Sequence, residues 1–349
     1  MAILLAAWVV ATFLSHWSLL DGAPRNSLRL FLDSQADRPF AYRLLAPAVV
    51  RTVDAALPEA ARSFLANQLA PILFARYVNP LESQYEAVMP GITARAHVDW
   101  ADARYRRSYV LMVMLMVASF AGAMLLIHRA AGLLGAEPFV ASAATLLYAV
   151  ITPTMFLNGG YFYDFTEQLG ATAFICCVLE TRWLLALLAL LLMQLNKETG
   201  FLMVLFLAPY AWRSARWRMV LPAMLALLLC VTLGLLVRWV YAHLPGQPTE
   251  WHFAENLSFW SRLSSWTATE NFHSAGLELP RMTFLYFAVA SLVLGYWKSR
   301  SPTLLAAACA FFGLAGLLLT MGFKDEFRNL SLALPLLVLL LVERKQRVD

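Results

Sequence analysis

Long apolar runs recur along the whole chain and limit what it can fold into. The stretches "LMVMLMVASFAGAMLLI" (111–127) and "LPAMLALLLCVTLGLLV" (221–237) contain no charged residue. About 20 such residues are needed to cross a bilayer, where only helices and closed barrels satisfy every backbone polar group. The chain is 60% hydrophobic and only 14% charged, whereas soluble domains are about 25% charged. These features predict an all-α polytopic membrane protein with residues 1–349 in a single integral-membrane domain.

The apolar runs predict about ten transmembrane spans. The first run has no basic n-region and no A-x-A site, so we interpret it as a retained span rather than a cleaved signal. The four cysteines all lie inside apolar runs, which indicates packing rather than disulfides or metal ligation. The predicted spans are 3–20, 109–128, 138–157, 165–181, 183–195, 200–212, 219–240, 282–297, 302–322 and 329–343.

Basic residues predict the orientation of these spans. With the amino terminus in the cytoplasm, basic residues concentrate in the short inner connections and the tail, as the positive-inside rule requires. The formal net charge of +5 therefore reports topology and does not indicate nucleic-acid binding. The inner set is Arg129, Arg182, Arg213, Arg216, Arg218, Lys298, Arg300, Arg344, Lys345 and Arg347, and the outer set is Lys197, Lys324 and Arg328.

The segment 183–212 has two interpretations. Its two apolar runs are each about 13 residues, roughly 20 Å of helix, and neither crosses the bilayer alone. They form either a short hairpin with the "NKET" tip near the outer surface or one long tilted helix. We favour the hairpin, because Trp183 and Trp212 suit interfacial positions at its base. One long helix would also place Lys197 and Glu198 near mid-membrane, at about 2.5–3.5 kcal/mol per charge.

Two long loops are predicted on the outer side, at 21–108 and 244–281. Within the first, apolar residues at helical spacing indicate amphipathic helices lying along the membrane surface. Residues 79–107 are more polar and predict a small water-facing lobe. In the second loop, a repeat at three or four residues predicts an interfacial helix. The residues in these two repeats are Phe64, Leu65, Leu69, Ile72 and Leu73, then Asn256, Trp260, Leu263 and Thr267.

Four clusters of acidic and basic residues fall on the predicted outer side. They are "DSQADRPFAYR" (33–43), "GGYFYDFTE" (159–167), "NKE" (196–198) and "KDEFRN" (324–329). Ionisable groups at a membrane rim are costly and mark candidate functional sites. Fixed cations beside carboxylates suit a lipid-linked phosphate substrate. The predicted phosphate ligands are Arg38, Arg43, Lys197 and Arg328, and the residues predicted to orient sugar or a divalent cation are Asp164, Glu167, Glu198 and Tyr163.

Each cluster also has a structural interpretation. Asp164 and Glu167 fit a capping box for a helix that begins at Phe165. The "NKE" tip and the "KDEFR" turn could be solvated surface segments with weak charge pairs. Arg38 and Arg43 could contact lipid headgroups, and the nearby acidic residues could serve only loop solvation.

The overall layout resembles the GT-C superfamily of integral-membrane glycosyltransferases. The stretches "RPFAYRLLAP", "YFYDFTEQL", "NKET" and "DEFRNLSLALP" resemble segments of poorly characterised bacterial proteins of this kind. The resemblance implies sugar transfer from a polyprenyl-phosphate donor outside the cytoplasm, with inversion. It also implies a catalytic carboxylate in the first outer loop, a role that falls to Asp37 or Asp33. We favour Asp37, because it precedes Arg38 and the Pro39 turn.

We therefore expect a glycosyltransferase of the bacterial inner membrane that faces the periplasm. Its partners would be a lipid-linked sugar donor, a glycan or lipid acceptor, and membrane lipids. No C-terminal soluble domain is evident, which leaves acceptor recognition to 79–107 and 244–281. The carboxylates suggest a divalent cation as a cofactor. No ATP-binding, nicotinamide-binding or serine-hydrolase motif occurs, so those functions have no support in the sequence. The alternatives are a transporter or flippase of a lipid-linked sugar, a polysaccharide polymerase or ligase, and a non-catalytic scaffold.

Overall fold

A computed structural model describes residues 1–86, 90–205, 220–272, 277–298 and 301–343. Helix makes up 76% of it, as expected for a mainly apolar chain. The first half contains α1 (Ala2–Trp17), α2 (Leu28–Leu32), α3 (Leu45–Ala56), α4 (Glu59–Phe64), α5 (Ala70–Leu73), α6 (Asn79–Glu86), α7 (Ile92–Ala101), α8 (Ala103–Leu133), α9 (Pro138–Ile151) and α10 (Tyr163–Leu179). The second half contains α11 (Trp183–Asn196), α12 (Val220–Val240), α13 (Phe253–Trp260), α14 (Leu263–Thr267), strands β1 (Thr269–Phe272) and β2 (Leu277–Pro280), α15 (Thr283–Lys298), α16 (Pro302–Thr320) and α17 (Leu334–Val342).

Within the described residues, four helices are long and apolar enough to cross a membrane. They are Ala103–Leu133, Pro138–Met155, Ala223–Val240 and Pro302–Thr320. Four shorter apolar helices accompany them, at Ala2–Trp17, Trp183–Asn196, Thr283–Trp297 and Phe327–Val342. The chain is thus a helical membrane-type protein, and the count of ten spans stays a prediction.

The helical core is built around α8, α10 and α17. α10 packs between α8 and α11, and α8 also contacts α1, α3 and α9. Every residue of the "LPLLVLL" stretch of α17 (334–340) is buried, because α15, α16 and α9 surround that helix. By contrast, α12 is only 17% buried over its apolar window. A helix that exposes so much apolar surface suits a lipid environment.

A buried carboxylate links the start of the predicted first outer loop (21–108) to α7 and α8. Asp21 Oδ2 accepts a hydrogen bond from Ser18 Oγ at 2.6 Å, and Asp21 Oδ1 accepts one from Trp100 Nε1 at 3.1 Å. Tyr105 also donates its hydroxyl to Asp21. Burial raises the pKa of Asp21, although these hydrogen bonds partly oppose the rise.

The segment 183–212 turns back at its predicted tip. α11 ends at Asn196, and Lys197 is extended with φ −160° and ψ 135°. A continuous helix through Lys197 is therefore excluded, in agreement with the hairpin. The chain returns against α11 so closely that a Cβ on Gly200 would lie 2.9 Å from the Met193 carbonyl carbon. Residues 202–205 are helical, and the rest of the predicted second arm, with Trp212, lies outside the described residues.

The second outer loop differs from its prediction. The expected interfacial helix divides into α13 and α14, and an antiparallel hairpin of β1 and β2 follows. Asn256 is fully buried, not interfacial. Its amide nitrogen donates to the carbonyls of Leu318 at 3.0 Å and Gly322 at 2.7 Å, and its oxygen accepts from the Lys324 backbone N–H at 2.6 Å. Asn256 thus bonds to backbone groups at the end of α16. Hydrophobic periodicity in the sequence does not indicate such a role.

The predicted water-facing lobe at 79–107 contributes to the packed core. It forms α6, α7 and the start of α8. The Trp100 ring packs edge-on against Phe74 at 4.8 Å and lies 4.7 Å from Tyr109. Aromatic contacts of this kind are favourable beyond their buried area. The helical character predicted from Phe64 to Leu73 is present, with π-helical turns at Leu65–Leu69 and Phe74–Val78.

Candidate functional site

The first turn of α10 presents two fully buried carboxylates. Asp164 and Glu167 are 0% and 1% exposed and lie one turn apart. The helix begins at Tyr163, two residues before the predicted start at Phe165. Asp164 Oδ2 therefore accepts the backbone N–H of Tyr161 at 2.9 Å, which lies before the helix. The capping-box interpretation is wrong, because Asp164 lies inside the first turn and Glu167 bonds to other segments.

Lys197 lies between these carboxylates. Its Nζ is 3.4 Å from Asp164 Oδ1 and 3.0 Å from Glu167 Oε2. Because α11 ends one residue earlier, the extended Lys197 backbone directs the side chain inward. The residue is 4% exposed, so the solvated-tip interpretation is wrong for Lys197.

Two hydroxyl groups also donate hydrogen bonds to the Glu167 carboxylate. Ser331 Oγ donates to Glu167 Oε2 at 2.7 Å, and Thr199 Oγ1 is 3.3 Å from Glu167 Oε1. Sequence analysis missed both residues. Ser331 had a detectable signal, because it follows Arg328 by three residues and so shares its face of a helix. The carboxylate is thereby held by a cation and two hydroxyl groups.

Arg328 brings the C-terminal segment to the same place. It lies on the 3₁₀ helix Phe327–Ala333 and is buried. Its Nη1 is 3.9 Å from Asp164 Oδ1, and its Nη2 is 3.1 Å from Glu326 Oε2. The exposed-turn interpretation of "KDEFR" is therefore wrong for Arg328.

Arg43 and Glu198 complete the cluster. Arg43 Nη2 is 3.1 Å from Glu198 Oε1, and Glu198 is the chain neighbour of Lys197. Burial lowers the Arg43 pKa, but the Glu198 carboxylate together with Tyr163 and Tyr161 outweighs this effect, and the pKa is raised. We call Arg43, Asp164, Glu167, Lys197, Glu198, Glu326 and Arg328 the ion cluster.

Two tyrosines link the guanidinium groups of the cluster. The Tyr161 and Tyr163 rings stack with centroids 5.0 Å apart and an interplanar angle of 8°. Arg43 Cζ lies 5.0 Å from the Tyr163 centroid, and Arg328 Cζ lies 4.3 Å from the Tyr161 centroid. These are cation–π distances. Burial raises the pKa of Tyr161 to about 12 although Arg328 lowers it, so this hydroxyl stays protonated at neutral pH.

Several polar atoms around the cluster are buried without a hydrogen-bond partner among the described residues. They are Arg43 Nε and Nη1, Arg328 Nε, Tyr163 Oη and Glu198 Oε2. Buried polar groups are nearly always hydrogen-bonded. The unpartnered donors of the two guanidinium groups and of Tyr163 can bind an anionic or hydroxyl-rich ligand, and Glu198 Oε2 can accept a hydrogen bond from a ligand hydroxyl.

The predicted catalytic candidates differ in position. Asp37 is paired with Arg25, with Oδ2 3.2 Å from Nε, and lies on the loop that carries Phe40. The Phe40 ring is 5.4 Å from the Tyr161 ring, so this loop lies against the ion cluster. Asp33 instead faces Arg29 at 2.8 Å and Arg104 at 3.8 Å.

Arg38 is directed away from the cluster. Its Nη2 donates to the carbonyl of Gly246 at 2.7 Å, and its backbone N–H donates to Pro245 at 2.8 Å. It therefore ties the first outer loop to the second, and the structure does not place it among the other predicted phosphate ligands.

The structure brings together residues from all four predicted segments. In the described ranges, no group of three or more His, Cys, Asp or Glu side chains could hold a metal ion. The Lys197 ammonium lies between the two carboxylates that were expected to hold either a sugar or a cation. In comparisons with known proteins, no family model matches the chain, and no curated protein or solved structure matches it significantly.

Proposed function

We propose that this chain is a GT-C-type glycosyltransferase that moves a sugar from a polyprenyl-phosphate donor to an acceptor at the periplasmic face of a bacterial inner membrane. The observation that carries the proposal is the ion cluster with its unpartnered donors. Charged side chains from four distant segments converge there. Helix formation alone does not account for this convergence, because the four segments are far apart in the chain.

The cost of the ion cluster argues for a role beyond folding. Burying an ion costs several kcal/mol, and replacing a buried pair by packed apolar residues is often stabilising by about 1–4 kcal/mol. Asp164, Glu167 and Lys197 are each at most 4% exposed. Charges buried this deeply in a membrane-type protein are functional-site candidates by default.

The cations suit a lipid-linked phosphate. Among the described residues, Arg43 Nε and Nη1 and Arg328 Nε have no hydrogen-bond partner, while a tyrosine ring holds each guanidinium in place. Arginine binds phosphate oxygens through its planar fork, with two parallel hydrogen bonds. Lys197 compensates part of the negative charge of Asp164 and Glu167, which reduces their repulsion of a phosphate bound at the arginines.

Asp37 is the base in this proposal. Its carboxylate would take the proton from the acceptor hydroxyl as that oxygen attacks the sugar carbon and the lipid phosphate leaves. Among the described residues, Asp37 pairs only with Arg25, whose side chain is half exposed. Solvent therefore screens the pairing, and it can open when substrate binds. Asp33 is held by Arg29 and Arg104 and remains the second candidate. Tyr163, Glu198 and the two α10 carboxylates would orient the sugar.

The test compares Asp37→Asn with Asp33→Asn in a transfer assay with purified protein and a radiolabelled polyprenyl-phosphate sugar. We expect Asp37→Asn to lose at least about a hundredfold in rate, in the range of a general base, while it elutes and melts like the wild type. Full activity in both variants would remove the proposed base. Movement of the lipid-linked sugar between vesicle leaflets without product would instead support a flippase.

A further inference from the structure

A short segment of the predicted second outer loop, residues 245–250, packs against the chain that carries Asp37. The backbone N–H of Arg38 donates to the Pro245 carbonyl at 2.8 Å, and Arg38 Nη2 donates to the Gly246 carbonyl at 2.7 Å. Gly246 has φ +87°, and a Cβ there would lie 2.5 Å from the Arg38 carbonyl oxygen. The two segments therefore meet backbone to backbone, one residue from the proposed base.

Arg25 connects the same two segments through charge. Its Nη2 lies 2.8 Å from Glu250 Oε1, and its Nε lies 3.2 Å from Asp37 Oδ2. The backbone N–H of Asp37 also donates to the Arg25 carbonyl at 2.9 Å. Within the described ranges, no other carboxylate forms an ion pair with Arg25. One guanidinium is thus shared between the proposed base and the second outer loop.

Glu250 has contacts that do not depend on Arg25. His252 Nε2 lies 3.7 Å from Glu250 Oε2. The backbone N–H of His252 donates to the carbonyl of Thr320, the last residue of α16, at 3.0 Å. The segment that carries Glu250 is therefore attached to the end of a helix long enough to cross a membrane.

We propose that Glu250 is a positioning residue that acts through Arg25 and keeps Asp37 able to accept a proton. The inference rests on the proposed function, in which Asp37 is the base. A cation beside a carboxylate opposes its protonation. Glu250 offsets the charge of Arg25 and remains as its partner when the pairing with Asp37 opens. The second outer loop thus sets the strength of the base on the first.

The test measures sugar transfer by the full-length Glu250→Gln, Arg25→Gln and double variants, with the radiolabelled polyprenyl-phosphate sugar as donor. In Glu250→Gln, Arg25 pairs with Asp37 alone, so we expect kcat to fall about two- to fivefold, the range of a partly exposed ion pair. KM for the donor should not change, because the donor phosphate binds at the ion cluster. Adding Arg25→Gln removes the opposing cation, so the double variant should recover most of the lost rate.

The double variant distinguishes this role from a structural link between the loops. If Arg25 and Glu250 only held the loops together, their combined loss would leave transfer no faster than in Glu250→Gln. Glu278→Gln is the matched control, because it makes the same substitution on β2, where Glu278 contacts Thr269. It should keep the wild-type kcat, and all four variants should melt like the wild type.

The results separate this inference from the function on which it rests. The inference is overturned if the wild type transfers sugar and Glu250→Gln has the kcat of Glu278→Gln, or if the double variant is no faster than Glu250→Gln. The proposed function stands in both cases, provided that Asp37→Asn is inactive. If the wild type transfers no sugar, the proposed function fails and this inference fails with it.

Discussion

Replacing Lys197 by methionine tests whether its positive charge compensates the buried carboxylates of Asp164 and Glu167, as the structure indicates. The substitution keeps the length of the side chain and removes its charge. In the native protein Nζ lies 3.0 Å from Glu167 Oε2 and 3.4 Å from Asp164 Oδ1. Lys197→Met therefore leaves two fully buried carboxylates without their shared cation.

The expected cost follows from that burial. Removing one partner of a buried ion pair costs about 3–5 kcal/mol. Arg328 Nη1 remains 3.9 Å from Asp164 Oδ1 and compensates part of one carboxylate, so we expect the lower end, about 3 kcal/mol. Adding Glu167→Gln to the Lys197→Met variant removes the negative charge of Glu167, which would otherwise be buried without a cation. The double variant should thus recover about 1–3 kcal/mol through the coupling between the two sites.

The assay is unfolding in mixed micelles with increasing anionic detergent, followed by the fluorescence of the eleven tryptophans. Lys324→Met is the matched control, because that lysine lies 4.6 Å from the Phe323 ring and outside the ion cluster. It should change the free energy of unfolding by no more than about 0.5 kcal/mol. If Lys197→Met unfolds with the free energy of the control, the buried pairing is incorrect.

Three further predictions concern the scaffold of the site. Asn256→Ala should cost about 2–3 kcal/mol in the same unfolding assay, because it leaves the carbonyls at the end of α16 unbonded. Gly22→Ala should cost at least about 1–2 kcal/mol, because φ is +70° and its Cβ would lie 2.3 Å from the Ile92 carbonyl oxygen. Gly132→Ala, with nothing within 4 Å, should instead be neutral or stabilising. Burial raises the pKa of Asp99 to about 6 from an unfolded value near 3.8, so the folded protein holds that proton more tightly. The stability that this bound proton contributes is present below pH 4 and is lost as pH rises through 6. Asp99→Asn should remove this pH dependence of the free energy of unfolding. An unchanged pH profile in that variant would contradict the raised pKa of Asp99.

The sequence predicted the parts of the fold that depend on hydrophobic patterning. Apolar runs located the helices α8, α9, α12 and α16, because their length and composition are local properties. The sequence also allowed the prediction that charges from four segments meet, because each charge would be costly at a membrane rim without an oppositely charged partner. The structure brings Arg43, Asp164, Lys197 and Arg328 together, one residue from each of the four segments.

Features that depend on individual long-range hydrogen bonds could not be predicted. Asn256 resembled one position of an amphipathic repeat, but it satisfies the end of a helix 62 residues away. The β1–β2 hairpin contains no long alternating pattern. Arg38 resembled a phosphate ligand by its neighbours in the chain, but its guanidinium bonds to Gly246, and residue type alone does not indicate where a long side chain points.

If the unpartnered polar atoms at and beside the ion cluster bind the substrate, Tyr163→Phe should impair sugar transfer without destabilising the fold. The Tyr163 side chain is 0% exposed, and its hydroxyl has no partner in the part of the chain that the structure describes. Removing a buried hydroxyl without a partner should leave the unfolding midpoint unchanged or raise it. If the hydroxyl binds substrate, sugar transfer from a polyprenyl-phosphate donor should fall by about tenfold or more. Wild-type transfer by a stable Tyr163→Phe protein would contradict the account.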